Sequence, residues 1–380
     1  MKRMGLRHLV RDERGMSLVF VCLGFMAMLS ATTLAIDVGM FMNSRSQAQN
    51  AADAGALAGA VALVYNNYTD RSPGGPAVQS AINTAQANKV GGQPVSIAAA
   101  DVTFPNDPAG LPNRVAVQVF RTAARSNPVP TLMGVFFGVS NVDIAATATA
   151  EASAANAETC VKPFTIPDKW IENGTGPWDP SDTFDNGDVY IGLKPFPDPN
   201  TNYTGYNAER DKGLEIVLKA DNNSKITASF YNPWDLPGST GASDYRANIA
   251  GCNTAVLPIG AMMTPEPGNM VGPTKQGTDG LVAKDPDAVW DTSCNCVQHS
   301  AFGTSPRVVI IPVYDPVVFA NGAQHGRNID LKIANYIGFF IEVMTGNEVK
   351  GRITPVGGVL ANNLGPAPAG AFPKVIRLVQ

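Results

Sequence analysis

The sequence predicts an α+β protein in which a single N-terminal transmembrane helix continues into a small α+β module, followed by a mainly β, sandwich-like domain. Two observations predict this: the 21 residues from Met16 to Ile36 carry no charge, and short β-prone runs recur between turns after Cys160. The 37 glycines and 29 prolines are typical of many turns and short strands. The predicted divisions are a basic stub (1–15), the transmembrane helix (16–42), the α+β module (43–155) and the mainly β domain (160–380).

The uncharged segment is long enough to cross a membrane once, since a helix rises about 1.5 Å per residue and the hydrocarbon core is about 30 Å thick. Five basic and two acidic residues precede it, which places residues 1–15 in the cytoplasm and the bulk of the chain outside. A cleaved secretory signal also has a basic start and an apolar stretch. The length of this stretch and the lack of a following A-x-A site favour a retained anchor.

The module is predicted element by element. The helix continues to about Tyr65, because QAQNAADAGALAGAVALVY has strong helix formers and no proline. A second helix over 77–89 follows, and alternating apolar stretches at 95–104 and 114–122 predict an antiparallel hairpin. A short helix over 130–138 and a third strand from Val142 complete a module that ends near residue 155.

The segment EASAANAET consists of small and polar residues and marks a predicted domain boundary, after which the sequence pattern changes. Short β-prone runs recur between turn residues, and no helix is clear. These runs predict one mainly β, sandwich-like domain; they are DVYIGL, LEIVLKA, KITASFY, RVVIIPVY, ANYIGFFIEVM and VIRLV.

Four of the five cysteines lie in the exported part, and an oxidising compartment would pair them as two disulfides. The ring closed by Cys294 and Cys296 would be small and strained, so we expect one of these two to join Cys160 and the other Cys252. Cys294, Cys296 and His299 also have the residue types of a zinc site, but disulfides are favoured.

Two functional classes receive little support from composition. Beyond the stub, 23 basic against 30 acidic residues argue against a nucleic-acid partner. An enzyme is not predicted, because His299 and His325 are the only exported histidines and no G-x-S-x-G elbow or phosphate loop is present. A cell-envelope hydrolase using paired carboxylates stays open, and no cofactor is predicted.

Small residues recur every fourth position on one side of the membrane helix and form a seam into which another helix could pack closely. Asp37 lies at the outer end of the span, where it is either a hydrated interface residue or the partner of a cation on a neighbouring subunit. Gly55 and Gly59 are expected to pack on the sheet of the module itself, with a partner protein as the alternative. The seam is formed by Ala27, Ala31, Ala35 and Gly39.

Four aspartates fall every third residue in WDPSDTFDNGDVY, and they are weak calcium candidates. Their spacing does not match an EF-hand loop, so a solvated turn is favoured. The four are Asp179, Asp182, Asp185 and Asp188.

The N-terminal motifs resemble those of the TadE/TadG-like proteins of bacterial Flp (tight adherence) pilus assembly. The matching stretches are Arg14-Gly15, Leu34-Ala35-Ile36-Asp37-Val38-Gly39 and Gln49-Asn50-Ala51-Ala52-Asp53-Ala54-Gly55-Ala56-Leu57-Ala58. The resemblance covers residues 11–60 well and 130–150 moderately. Ala48 departs from the common Leu, and Phe20 stands where prepilin-like members carry Glu, so processing after Gly15 is left open.

The resemblance implies a pilin-like α+β module and a single-pass protein of the bacterial inner membrane, with its bulk in the periplasm. It also implies contacts with other pilus-assembly proteins through the N-terminal helix. The expected function is a non-enzymatic component of Flp pilus assembly or surface presentation. The alternative is a periplasmic or surface module for binding or adhesion, with or without calcium.

Overall fold

A single continuous helix, α1 (Met16–Tyr65), runs from the apolar N-terminal segment into the first folded unit, as the sequence predicts. The computed structural model describes residues 16–66, 69–108, 110–174, 176–194, 202–220, 225–322 and 330–379. The predicted stub, 1–15, and His325 lie outside these residues.

The first unit packs two helices on one small antiparallel sheet. The predicted second helix and the strands at 114 and 142 are confirmed, whereas the stretch at 95–104 forms only a two-residue strand. The elements after α1 are α2 (Pro76–Ala87), β1 (Lys89–Val90), β2 (Gln93–Pro94), β3 (Val102–Thr103), β4 (Arg114–Arg121), β5 (Val129–Pro130), β6 (Asn141–Val142) and β7 (Ile144–Ala154).

Small residues allow α1 to approach α2 and the sheet closely. A Cβ built on Gly55 would lie 3.0 Å from the carbonyl oxygen of Ala81 and 3.0 Å from the Cβ of Ala85, both on α2. The buried face of α1 from Ala48 onward is mostly Ala and Gly. The expectation that Gly55 packs within its own module is therefore confirmed, with α2 as an additional neighbour.

The second unit contains most of the remaining strands and three helices. Its elements in chain order are β8 (Ala157–Glu158), β9 (Phe164–Pro167), β10 (Glu215–Ala220), β11 (Phe230–Asp235), α3 (Gly241–Ala250), β12 (Leu257–Pro258), β13 (Met262–Pro265), α4 (Val271–Lys284), β14 (Val289–Asp291), β15 (Cys296–Gln298), β16 (Val308–Tyr314), α5 (Pro316–Asn321), β17 (Leu331–Thr345) and β18 (Glu348–Thr354). The last strand along the chain is β19 (Lys374–Val379).

Six strands of the second unit pair in a closed ring. The 15-residue β17 pairs antiparallel with both β16 and β18, and the ring continues from β18 through β10, β11 and β9 back to β16. Two of these contacts, β10 with β11 and β9 with β16, are parallel. A closed sheet leaves few unpaired edges. This pairing describes a mostly β, barrel-like unit and does not confirm the predicted sandwich.

Two helices cover part of this unit, so the expectation of a β domain without a clear helix was wrong. Both α3 and α4 contain glycines and polar residues that hide an amphipathic pattern in the sequence. They cross closely, since a Cβ on Gly277 would lie 2.6 Å from the Cβ of Ile249. Tyr245, Ile249 and Leu281 then contribute to the core of the ring.

The C-terminal strand returns to the first unit. β19 pairs antiparallel with β7 along its whole length, from Lys374 opposite Ala154 to Val379 opposite Thr149. The sheet of the first unit therefore has the order β19-β7-β4-β3. The predicted boundary near residues 155–160 had assigned this strand to the second unit.

Polar contacts also join the two units. The Nζ of Lys212 donates to the carbonyl oxygen of Tyr65 at 2.7 Å, at the C-terminal end of α1. A cation at this position complements the negative end of the helix dipole. The buried side chain of Asn156 bonds to the backbone of Ala361 and Gly365, which fixes the segment leading to β19.

Candidate membrane and partner interface

The N-terminal part of α1 presents an apolar surface that the rest of the chain does not cover. Within the described part of the chain, α1 is the one helix long and apolar enough to span a membrane. Leu18 and Leu34 are 68% and 66% exposed. The hydroxyl of Ser30 donates to the carbonyl oxygen of Met26 at 2.8 Å, so this polar group is satisfied inside the helix, as a lipid environment requires.

The small-residue seam predicted for α1 is exposed. Ala27, Ala31, Ala35 and Gly39 all have exposed surfaces, and a Cβ built on Gly39 meets no described heavy atom within 4 Å. The seam is therefore open to a second helix, and its use by a partner stays a prediction.

Asp37 is buried, with 5% of its surface exposed, and its carboxylate is bound within its own chain. Its Oδ1 accepts hydrogen bonds from the backbone N–H groups of Leu132 at 3.0 Å and Met133 at 3.1 Å, and its Oδ2 accepts from that of Gly134 at 2.5 Å. The hydrated interpretation of Asp37 was wrong. The carboxylate is satisfied without a cation from a neighbouring subunit, and its partners lie too far along the chain for sequence spacing to reveal them.

The outer end of the seam, Ala35 and Gly39, lies on the side of α1 opposite Asp37. At 3.6 residues per turn, Ala35 and Gly39 each lie about 160° around the helix axis from Asp37. The Asp37 side continues into the buried Ser44 and Ala48 of the module core. One side of the helix therefore belongs to the folded unit, and the other is available to a partner.

The structure brings together two of the four calcium candidates and adds a third carboxylate. Ligand oxygens of Asp185, Asp188 and Glu172 lie within 4.8 Å of one another. Asp179 and Asp182 instead form a turn of their own, in which the backbone N–H of Asp179 donates to the Oδ2 of Asp182 at 2.6 Å. Sequence spacing could not indicate Glu172, since a bridge between Ile171 and Val189 brings the two segments together.

Electrostatics within this cluster are consistent with crowded carboxylates. The hydrogen bond from Trp170 lowers the pKa of Glu172, but desolvation and the negative charge of Asp188 outweigh it, so the pKa is raised overall. The Oδ2 of Asp188 also accepts from the backbone N–H of Asp185 at 2.8 Å. The cluster has the ligand type that calcium prefers, although part of its hydrogen-bonding capacity is used by the turn.

Four of the five cysteines form two disulfides, but the predicted pairing was wrong. The bonds join Cys160 to Cys252 and Cys294 to Cys296. A turn between β14 and β15, with Asn295 in the left-handed region at φ 48°, brings the Cα atoms of Cys294 and Cys296 to 5.2 Å. With both sulfurs bonded to each other, this segment offers no thiolates for zinc.

A buried carboxylate that the sequence did not indicate organises the centre of the second unit. Asp168 is fully buried and accepts hydrogen bonds from the hydroxyls of Tyr203 at 2.7 Å and Tyr190 at 3.0 Å. Burial raises the pKa of Asp168 to about 6, while these hydrogen bonds oppose the shift. The amide of Asn335 on β17 donates to the hydroxyl of Tyr203 at 2.8 Å, so the network ties Tyr190 and Tyr203 to the ring of strands.

These features define a class of protein: a chain with one apolar, membrane-type helix that continues as the core helix of a folded unit. A comparison with protein families gives a match that coincides with most of this helix. Residues 15–62 match the family model Tad, described as "Putative Flp pilus-assembly TadE/G-like", so the resemblance of the N-terminal region is confirmed. No curated protein and no solved structure matches the chain. The match indicates involvement in pilus assembly, and the apolar helix indicates membrane association.

Proposed function

We propose that this chain is a non-enzymatic, single-span component of Flp-type pilus assembly or surface presentation. It is anchored in the bacterial inner membrane, with the N-terminus in the cytoplasm and the folded units in the periplasm. The observation that carries the proposal is the continuity of α1 from its exposed apolar part into the buried core of the first unit. The Tad match, residues 15–62, falls on this helix.

The architecture supports an assembly role because one rigid element joins the membrane to the folded units. The helix half that is exposed offers a small-residue seam, and the half that is buried holds a four-stranded antiparallel sheet. We call the module pilin-like because one helix has an exposed apolar N-terminal part and a C-terminal part that is buried against a sheet. A partner helix that packs into the seam would position both folded units relative to the pilus machinery.

The seam gives the first experiment. Ala31→Leu and Gly39→Leu should reduce co-purification of pilus-assembly proteins and lower the number of surface pili, because each larger side chain keeps a partner helix at a distance. The amount of protein in the membrane fraction should not change. Cys22→Leu is a matched control, since Cys22 is exposed on the other side of the helix.

Deletion of the gene is the broader test. Loss or strong reduction of surface pili, restored by the wild-type chain and by the control variant, is the expected result. Normal piliation after deletion would contradict the proposed function. Normal piliation and normal co-purification in the seam variants alone would contradict only the use of the seam.

The second candidate function is calcium-dependent binding or adhesion by the second unit, which the cluster of Glu172, Asp185 and Asp188 favours. A site that binds calcium in the folded state raises the melting temperature when calcium is added. Asp188→Asn should abolish that rise, whereas Asp179→Asn, outside the cluster, should keep it. A melting temperature of the wild-type chain that is equal in calcium and in chelator would argue against this function.

A further inference from the structure

The loop that Asp37 holds has an apolar surface unusual for a region in contact with water. This apolar loop, residues 131–140, connects β5 to β6 and contains a 3₁₀ turn, Gly134–Phe137. No charged residue lies between Arg125 and Asp143. Its large side chains point away from the folded unit, with exposed fractions of 58% for Leu132, 53% for Val135, 79% for Phe136, 63% for Phe137 and 49% for Val139.

The position of the apolar loop along α1 is fixed by Asp37. Asp37 is the first residue after the uncharged segment Met16–Ile36. Three consecutive backbone N–H groups of the loop donate to its carboxylate, so the loop lies at the level where the helix leaves its uncharged part. If that part spans the hydrocarbon core, the loop lies at the outer boundary of the same bilayer.

The backbone of the loop is suited to an environment with little water. Besides the three N–H groups bound by Asp37, the N–H of Thr131 donates to the carbonyl oxygen of Ser140 at 3.0 Å and that of Val139 donates to Gly134 at 3.0 Å. The hydroxyl of Thr131 donates to the carbonyl oxygen of Val139 at 2.6 Å. Backbone groups without such partners would be costly in contact with lipid.

Asp37 is suited to the same boundary. A carboxylate close to hydrocarbon is unfavourable unless its charge is compensated by bound partners. The three backbone N–H donors of the loop supply that compensation, and the carboxylate in turn provides these N–H groups with a hydrogen-bond acceptor. The pairing of one acidic side chain with an uncharged, aromatic loop is therefore consistent with a membrane boundary.

We propose that the apolar loop inserts Leu132, Phe136 and Phe137 into the outer interface of the membrane that α1 spans. The occupant of this surface is lipid, because the loop continues the apolar surface of the helix at the level where the uncharged segment ends, and aromatic side chains favour such interfaces. This inference rests on the proposed membrane anchor. The inserted loop acts as a second contact that fixes the tilt of the folded units while the outer end of the seam, Ala35 and Gly39, stays accessible on the opposite side of α1.

Fluorescence quenching tests the insertion in the full-length chain. A Cys22→Ser, Phe136→Cys chain is labelled with an environment-sensitive dye and reconstituted into vesicles of phosphatidylethanolamine and phosphatidylglycerol. Phe302→Cys in the same background is the matched control, because Phe302 is an exposed phenylalanine of the second unit. We expect quenching by a lipid-borne nitroxide to be several-fold stronger at position 136 than at 302, with a blue-shifted emission at position 136.

Two results would overturn the insertion. Equal quenching of both positions by aqueous iodide would show that the loop is in water. Shielding of position 136 from both iodide and the lipid nitroxide would show that protein, a second copy or another chain, covers it. Leu132→Cys provides a second reporter if the Phe136→Cys chain loses the circular dichroism spectrum of the wild type.

Flotation of the reconstituted vesicles after an alkaline wash separates this inference from the proposed anchor. Chains that do not float with the vesicles would contradict the anchor itself. Chains that float while position 136 is accessible to iodide would contradict only the insertion of the loop.

Discussion

Gly59 of α1 lies directly against Val115 of β4: a Cβ built on the glycine would be 2.8 Å from the Cγ1 of the valine. The same position faces the Cβ of Ala81 on α2 at 3.2 Å. Gly59 is thus the point where the helix, its neighbour and the sheet meet. The absence of a side chain there sets how closely α1 approaches the first sheet.

Gly59→Ala should destabilise the first unit by about 1–3 kcal/mol, because the added methyl group forces helix and sheet apart in a packed core. The gain in helix propensity from Ala, up to about 1 kcal/mol, offsets part of this cost. The measurement is denaturant unfolding of the full chain in detergent. Gly39→Ala is the control, since its Cβ meets nothing within 4 Å in the described structure, and equal stability of the two variants would contradict the packing.

Asp37→Ala should release the backbone of the apolar loop. Hydrogen bonds to a charged group are worth roughly 1.5–3 kcal/mol each, so amide exchange at Leu132, Met133 and Gly134 should accelerate by about tenfold or more. Hydrogen exchange with mass spectrometry measures this directly. Asp53→Ala removes a carboxylate that contacts Gln49 on the same helix and should leave exchange in the loop unchanged. Unaltered exchange in Asp37→Ala would contradict the contact.

The two disulfides should differ in their contribution to stability. Cys160 and Cys252 are separated by 92 positions, so replacing both by Ser should cost about 4–5 kcal/mol through the entropy of the unfolded chain. Cys294 and Cys296 are separated by 2, and their replacement should cost about 2 kcal/mol or less. Thermal unfolding compares the variants. Peptide mapping without reductant would contradict the pairing if it linked Cys160 to Cys294 or Cys296.

Stability should fall as pH rises from about 5 to 8, because of Glu158. Burial raises the pKa of Glu158 to about 8, although the backbone N–H of Thr159 opposes the shift. Its Oε1 has no described hydrogen-bond partner, and 2% of the residue is exposed. The protonated form is therefore the one that the folded state favours, and the stabilisation present below the unfolded pKa is lost as pH rises through the folded pKa.

Glu158→Gln should remove most of this pH dependence, because the amide cannot ionise. At pH 8 the variant should be more stable than the wild type by on the order of 2–4 kcal/mol, with little difference at pH 5. Denaturant titrations at both pH values test this. Glu348→Gln, at an exposed carboxylate paired with Lys219, should keep the wild-type slope. A wild-type slope in Glu158→Gln would contradict the assignment.

The sequence could predict the elements whose signals are local. The lack of charge from Met16 to Ile36, the Ala-rich continuation to Tyr65 and the alternating residues of β4 each specify a helix or a strand within one segment. The helices α3 and α4 were not predicted, because their local signals are weak. The glycines of α4 and the polar residues of α3 weaken the periodic pattern, and packing of one helix on the other supplies what propensity does not.

Contacts between distant segments left no local signal. Asp37 and Gly134 are 97 residues apart, and the return of β19 to β7 joins the end of the chain to its first sheet. Glu172 joined the aspartates in the same way, through the pairing of Ile171 with Val189. Such pairings depend on the whole set of strands that compete for an edge, so residue types alone do not select them.

By itself, the sequence determined that one long helix combines an apolar, membrane-type half with a small-residue half, because charge and side-chain size are properties of each residue. The family motif on that helix followed from the same residues. Only the tertiary structure decided that Asp37 binds a loop of its own chain, that the strands of the second unit close in a ring and which cysteines pair. These outcomes depend on which distant groups can approach within hydrogen-bonding or bonding distance, and that is settled by packing of the complete chain.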